Sequence, residues 1–409
     1  MLTPGGWPCI ILLYLYGTVA TSLVTQSVPV IGDIAHQFGL SHAAAGWVIS
    51  IPSLITAVLA LFGGWLVDRI GDKRVIVGGS LFALAGNLGV VMAHDVNTLF
   101  ASRLLEGVGY LSLTVGAVTL IMRTTSGARR GIALGLWTSH TAVGIGLTLS
   151  VVAPLAQRGE MWRWAFGGHA ILMAALALAG FLLPGKTQQM AARRLADIWT
   201  VVKSPRPYRV ALASGASAFI QTGIMAALTV YLAKTFGVAI RTAAGVGTLA
   251  EVFVCIGCLS VGHLLKGGTS ARLIATVGGV VALAGGVGLY LPVTGLSGAV
   301  AAVCVFSVGI GLLNGLIWTM VPAAAPSLAT MGATSGLVAQ ATYLGVLLGP
   351  PAIFASFYES GWTVRIGLVV LATLLQLAPL PIWGRAAPRS EESGAQASGS
   401  APASAAGGN

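Results

Sequence analysis

Charge is what this sequence lacks. Only 8% of its 409 residues are Asp, Glu, Lys or Arg, and just 11 of them are acids. A typical soluble domain carries about 25%, so a water-soluble fold of this length could not cover its surface. Cysteine is scarce as well. Cys9, Cys255, Cys258 and Cys304 all lie in apolar stretches, which excludes a disulfide framework. Cys255-x-x-Cys258 has no βαβ surroundings and reads as two small apolar residues on a helix, not as a redox motif. There is no Gly-x-x-x-x-Gly-Lys-Ser/Thr loop, no His-Glu-x-x-His and no Cys/His cluster. These absences argue against an ATP-driven pump, a metal and any other cofactor. No polar segment is long enough for a catalytic domain, so an enzyme is not expected. The 56 glycines show no Gly-X-Y period, which excludes collagen. No Lys or Arg precedes the first apolar run, which reads as a span rather than a removable signal.

What is abundant is apolar length. The chain is 56% hydrophobic, with a mean hydropathy of +0.88. Its runs are continuous and helix-sized, unlike the ~10-residue alternating segments of a membrane β-barrel. Twelve spans are expected, near 9–31, 43–67, 75–93, 97–121, 131–155, 163–183, 208–232, 242–265, 272–292, 295–321, 331–357 and 362–383. Backbone polar groups in hydrocarbon need internal partners, so each span must be helical. The expected fold class is an all-α membrane protein of twelve transmembrane helices in two pseudo-symmetric six-helix bundles. Its parts would be a first bundle over 1–183, a basic cytoplasmic linker over 184–207, a second bundle over 208–383, and a disordered cytoplasmic tail over 384–409.

The basic residues test the orientation. With the N-terminus inside, sixteen Lys and Arg fall in the loops, linker and tail on that side. Five face the other side: Arg158, Arg163, Lys234, Arg241 and Arg365. Such a bias puts both termini in the cytoplasm. It also accounts for the +11 net charge without a nucleic acid partner; the partner expected for this surface is the lipid bilayer. The halves repeat. Phe38-Gly39 echoes Phe236-Gly237, Gly107-Val108-Gly109 echoes Gly309-Ile310-Gly311, and Gly135-Leu136 with Gly144 echoes Gly336-Leu337 with Gly345. Duplicated halves are common in transporters, whose sites lie near the midplane.

The loop after span two reads Gly64-Trp65-Leu66-Val67-Asp68-Arg69-Ile70-Gly71-Asp72-Lys73-Arg74. It resembles the signature loop of the major facilitator superfamily, a resemblance that extends over nearly the whole chain. The likeness implies a gating loop with Gly64, Asp68, Arg69, Gly71 and Arg74 at the family positions. Asp72 stands where a basic residue is usual and reads as a minor change on the solvated side. The second-half counterpart, Gly262-His263-Leu264-Leu265-Lys266, has no Asp. In span four, Arg103-Leu104-Leu105-Glu106-Gly107-Val108-Gly109 resembles a second family motif whose Arg is tied to proton coupling. Glu106 replaces the more usual Gln. The Gly-Pro motif of proton antiporters has no good match in span five, where Gly144-Ile145-Gly146 is followed only by Pro154. The stretch from Gly135 through Trp162-Arg163-Trp164 looks like the cyanate/nitroimidazole permease branch.

Arg103 and Glu106, three residues apart, can pair on one helix face, and intramembrane ions are functional candidates by default. Glu251 in span eight is the other deep acid. His140 lies between Ser139 and Thr141. Proton coupling is therefore expected from Glu251, Glu106, Arg103 and His140. Substrate contacts are expected from Arg103, Gln26, Gln221, Asn314, Trp318, Gln340 and Tyr343, although amides in a membrane more often join helices. The resulting expectation is a monomeric, proton-coupled secondary transporter in a cell inner membrane, moving a small organic anion or polar solute. The alternative is proton-driven export of amphipathic drugs or metabolites. A sensor that signals through the linker fits poorly with so short a linker.

Overall fold

The computed structural model describes residues 1–382 except 126–128, 130–132, 134, 135, 138, 186–194, 292–294, 328, 329 and 360. Fifteen α-helices carry the described chain: α1 Trp7–Thr25, α2 Ile31–Gln37, α3 His42–Ser50, α4 Pro52–Ile70, α5 Asp72–Val91, α6 Val96–Thr124, α7 His140–Val152, α8 Trp162–Ala179, α9 Leu195–Val202, α10 Pro205–Phe236, α11 Ile240–Lys266, α12 Ala271–Tyr290, α13 Leu296–Ala324, α14 Met331–Glu359 and α15 Gly361–Leu377. Among the described residues, nine helices are long and apolar enough to cross a membrane. The bent pair α3/α4 makes a tenth, and two shorter apolar helices at His140–Leu155 and Gly361–Leu377 stand where spans five and twelve are expected. This is a multi-pass helical membrane fold.

Local chemistry explains where several helices begin. The Ser41 hydroxyl accepts from the Ala44 N–H at 3.2 Å, Asp95 accepts from Thr98 at 2.9 Å and Ser270 from Leu273 at 3.2 Å, satisfying donors that a helix leaves orphaned. Pro52 and Pro205 occupy first helical positions, where a missing N–H does least harm. Gly71, at φ 95°, makes the sharp corner between α4 and α5 that a side chain would resist.

Small residues set the packing. A Cβ on Gly109 would lie 2.8 Å from the Gly79 carbonyl oxygen, and one on Gly86 would lie 2.8 Å from the Glu106 nitrogen, so α5 and α6 touch backbone to backbone. The second half repeats this between α12 and α13. A Cβ on Gly309 would lie 2.7 Å from the Gly278 oxygen, and one on Gly285 would lie 2.2 Å from the Phe306 nitrogen. Gly79, Gly86 and Gly109 therefore answer Gly278, Gly285 and Gly309. The expected pairing of Gly107 with Gly309 is off by half a turn, because contact with the neighbouring helix, not the Gly-x-Gly spelling, defines equivalence. In the corrected register Arg103 answers Val303 and Glu106 answers Phe306, both fully buried.

The halves meet along α14. Gly46 of α3 lies against Pro350 and Pro351, and Leu61 of α4 lies against Gly336. The second meeting is α7 on α11, with Leu149 against Gly247 and Thr248 against Gly146. Within the linker, α9 buries Ile198 and Val201 against Leu61 and Ala333, joining α4 to α14. One expectation changes: Asp72 is not solvated. It is buried at the start of α5 and paired with Arg123 at the end of α6, at 2.8 Å.

Candidate functional site

Arg103 sits on α6 with no exposed surface, and its surroundings follow from two helix endings. α1 stops at Thr25, so the carbonyls of Leu23 and Val24 fall in a last turn where the helix no longer supplies an i+4 donor to each. Pro52 lacks an N–H, which frees the carbonyl of Val48 four residues earlier. Arg103 reaches both places. Its Nη1 donates to the Leu23 oxygen at 2.7 Å and its Nε to the Val48 oxygen at 2.9 Å. Longer contacts from Nη2 reach the Val24 and Ile49 oxygens and the Ser27 hydroxyl. Nη1 also pairs with Glu106 Oε2, and the Phe166 ring lies 5.7 Å from the guanidinium carbon. Each of the three guanidinium nitrogens thus has an acceptor within 3.5 Å, all of them in the first half.

Glu106 and Gln26 extend this network. Gln26 Nε2 donates to Asn87 Oδ1 at 2.9 Å and makes a longer contact with Glu106 Oε1 at 3.5 Å. Asn87 in turn donates to the Ala83 carbonyl at 2.8 Å. Four polar side chains of α6, α5 and the end of α1 thus form one buried cluster. The second half has an uncharged counterpart. Ser217 donates to Asn314 Oδ1 at 2.6 Å, Asn314 to Gln221 Oε1 at 2.8 Å, and Gln376 to the Ser217 hydroxyl at 2.7 Å.

Polar contacts among the described residues bridge the halves. The hydroxyls of Tyr110 on α6 and Tyr343 on α14 are 3.4 Å apart, with the rings edge to face at 5.6 Å. Gln340 Nε2 donates to the Val58 carbonyl at 3.1 Å. Thr248 makes a 3.4 Å contact with the Gly146 carbonyl. Trp318 is 46% exposed on α13. Glu251 on α11 stands apart: it is 3% exposed, and its Oε1 has no hydrogen-bond partner among the described residues. It lies one turn from Gly247 and Thr248, which touch α7 of the other half.

The remaining expected residues are dispersed. His140 Nδ1 is bonded to the Trp137 carbonyl, its ring stacks on Trp137 at 4.3 Å, and Gly17 makes room for both. Of the gating loop, Arg69 and Arg74 are exposed and Gly71 forms the corner. The surroundings of Gly64 and the side chain of Asp68 lie outside the described residues, as does Gly135 of the internal repeat. The sequence reading missed Asn87, Ser217, Gln376, Tyr110 and His169. His169 holds the Val19 carbonyl at 3.1 Å and is buried. Asn87 and Gln376 carried a usable signal, because each is an amide in an otherwise apolar run.

Comparison with known proteins agrees with this architecture. The Major Facilitator Superfamily model matches residues 10–350. The chain is 35% identical over 150 residues to "Uncharacterized MFS-type transporter EfpA" of Mycobacterium tuberculosis, covering 36% of this chain and 28% of that one. It is 34% identical over 188 residues to "Puromycin resistance protein pur8" of Streptomyces alboniger, covering 45% and 35%. Against "Galactose-proton symporter" of Escherichia coli it is 29% identical over 162 residues, covering 39% and 34%. The matched segments span about a quarter to a third of these relatives' lengths. A solved structure of a bacterial homolog to the human lysosomal transporter Spinster superposes with a TM-score of 0.77 at 16% identity, covering 94% of this chain and all of that one. The chain belongs to the Major Facilitator Superfamily.

Proposed function

We propose that this chain is a secondary transporter that moves an amphipathic, aromatic solute, uncharged or cationic, by alternating access, with Glu251 as its proton carrier. The two rocking units are residues 1–183 and 208–383, joined by the basic linker 184–207. The observation that carries the reading is where charge is and is not engaged. Arg103 is a cation buried deep in a span, and each of its guanidinium nitrogens already faces Glu106, Ser27 or backbone oxygens. An organic anion would find no free guanidinium there, so the reading moves from a small organic anion to the amphipathic alternative. Between the halves stand Tyr110, Tyr343 and Gln340, with the amides Gln221 and Asn314 on the second-half side. Phenols and amides suit a solute with an aromatic body and a few polar handles.

Glu251 supplies the coupling. A carboxylate buried without a partner is among the most costly groups a membrane fold can hold. It takes up a proton when its surroundings close and releases it where water reaches it, so its charge state is tied to the α7/α11 contact one turn away. The relatives support both halves of the reading: one is named for resistance to puromycin and another for proton symport. The basic bias supports a topology with the loop end of α4/α5 and both termini in the cytoplasm, in keeping with a protein of a cell inner membrane.

Purified protein in liposomes with an imposed pH gradient tests this directly. Lipophilic amines and neutral aromatic solutes should each drive proton movement, while small carboxylates should not. Movement of carboxylates alone, or solute movement with no proton movement, overturns the reading.

A further inference from the structure

The corrected register makes the charged pair of span four a puzzle. At the equivalent positions α13 carries Val303 and Phe306, buried and apolar, and packs on α12 through the same glycine code. The architecture therefore does not require an ion pair at this depth. Something particular to the first half does, and the contacts of Arg103 show what it is.

We infer that Arg103 is a positioning residue that clamps the break between α3 and α4, and so sets the shape of the helix with which the first half grips the second. The break is a 43° bend at Pro52. Two of the carbonyls that Arg103 holds, Val48 and Ile49, belong to the turn just before that proline. One turn further along α6, Gly107 seats the Pro52 carbonyl so closely that a Cβ would lie 2.4 Å from it. α6 thus holds the bend from both sides, by a guanidinium fork and by bare backbone. The other end of the fork holds the last turn of α1 through Leu23 and Val24, so three spans are tied at one point.

The bend matters because both of its arms lie on α14. Gly46 of α3 meets Pro350 and Pro351, while Leu61 of α4 meets Gly336 and the Val58 carbonyl receives Gln340. The 43° bend is what brings the two arms onto α14 at these two places. In this proposal the angle at Pro52 adjusts as the halves part at one end while they stay closed at the other, a small change within the rocking first unit. Arg103 sets that angle without touching solute. This inference rests on the alternating-access reading above, and its test can fail separately.

The test is a double-mutant cycle. Replacing Arg103 alone would strand Glu106, so the first variant is Arg103→Met with Glu106→Gln, a neutral pair of similar volume. The second is Pro52→Ala, which restores an N–H for the Val48 carbonyl and lets the helix run straight. The third combines them. Solute affinity is read by tryptophan fluorescence, and transport by KM and kcat in liposomes.

The neutral pair should lower kcat about tenfold, or about 1.4 kcal/mol, with KM within roughly twofold. In the Pro52→Ala background the same change should cost less than about twofold. Arg103→Lys, which keeps the charge but loses the planar fork, should be as slow as the neutral pair. Additive losses, a rise in KM, or full activity in Arg103→Lys would overturn the inference. Should the wild type move no solute at all, the transport reading fails. The clamp is then judged by melting midpoints alone, where Arg103 and Pro52 must still be non-additive.

Discussion

The pair formed by Asp72 and Arg123 offers a sharp energetic test, because the loop pattern favours a basic residue where this chain has Asp72. The carboxylate opens α5 and the guanidinium ends α6, each favourable with the helix dipole it faces. They meet at 2.8 Å with side chains 3% and 6% exposed. Breaking a buried pair by removing one member costs about 3–5 kcal/mol, since the other charge stays buried. Arg123 lies in the last turn of its helix and keeps its favourable dipole there, so about 2–3 kcal/mol is the fitting figure for Asp72→Asn. The assay is thermal unfolding of detergent-purified protein by tryptophan fluorescence. The midpoint should fall by about 3 °C. Asp72→Lys, which restores the basic residue usual in this loop, should fall further because two cations then face each other. The double change Asp72→Leu with Arg123→Met should return to within about 1 kcal/mol of wild type. A midpoint for Asp72→Asn within about 1 °C of wild type would show that the pair is solvated and refute the reasoning.

Other expectations follow from the same contacts. Gly285→Ala puts a Cβ 2.2 Å from the Phe306 nitrogen and should destabilise the fold by about 1–3 kcal/mol. Gly288→Ala meets only the Ala302 side chain at 3.3 Å and should melt close to wild type. Tyr343→Ala removes the edge-to-face contact with Tyr110 and should weaken solute binding by about 2- to 10-fold, measured by equilibrium binding in detergent. Val201→Asp puts a charge in the small cluster that seats α9 on α4 and α14. It should raise protease cleavage within 184–207 while leaving solute affinity unchanged. Reporter fusions should be active as cytoplasmic proteins when joined after Gly185 or Gly267, and silent there if they require export.

Much of the fold was legible because hydropathy reports the length of a span. The i,i+3 spacing of Arg103 and Glu106 also foretold their pairing. What could not be read was which face of each helix points where. A helix that is apolar all round carries no periodic signal, so Gln26 looked as free to meet solute as Gln221. In the structure Gln26 is tied to Asn87 and Glu106, and Gln221 to Asn314. The bend at Pro52 had a signal in the run 43–67, since a mid-run proline frees a carbonyl four residues back. The donor that answers it lies 55 residues away on α6, beyond the reach of local reasoning. Asp72 was misjudged for the same reason. A loop position reads as solvated until the end of another helix is known to cover it.

Glu251 carries the central claim, and one measurement on Glu251→Gln tests it most directly. The variant keeps the shape of the side chain and removes its titration. In liposomes loaded with unlabelled solute, exchange with labelled solute should continue near the wild-type rate, because binding and rocking need no proton cycle. In the same liposomes an imposed pH gradient should no longer drive accumulation. Accumulation that persists under the gradient would contradict the account and move the proton to another group.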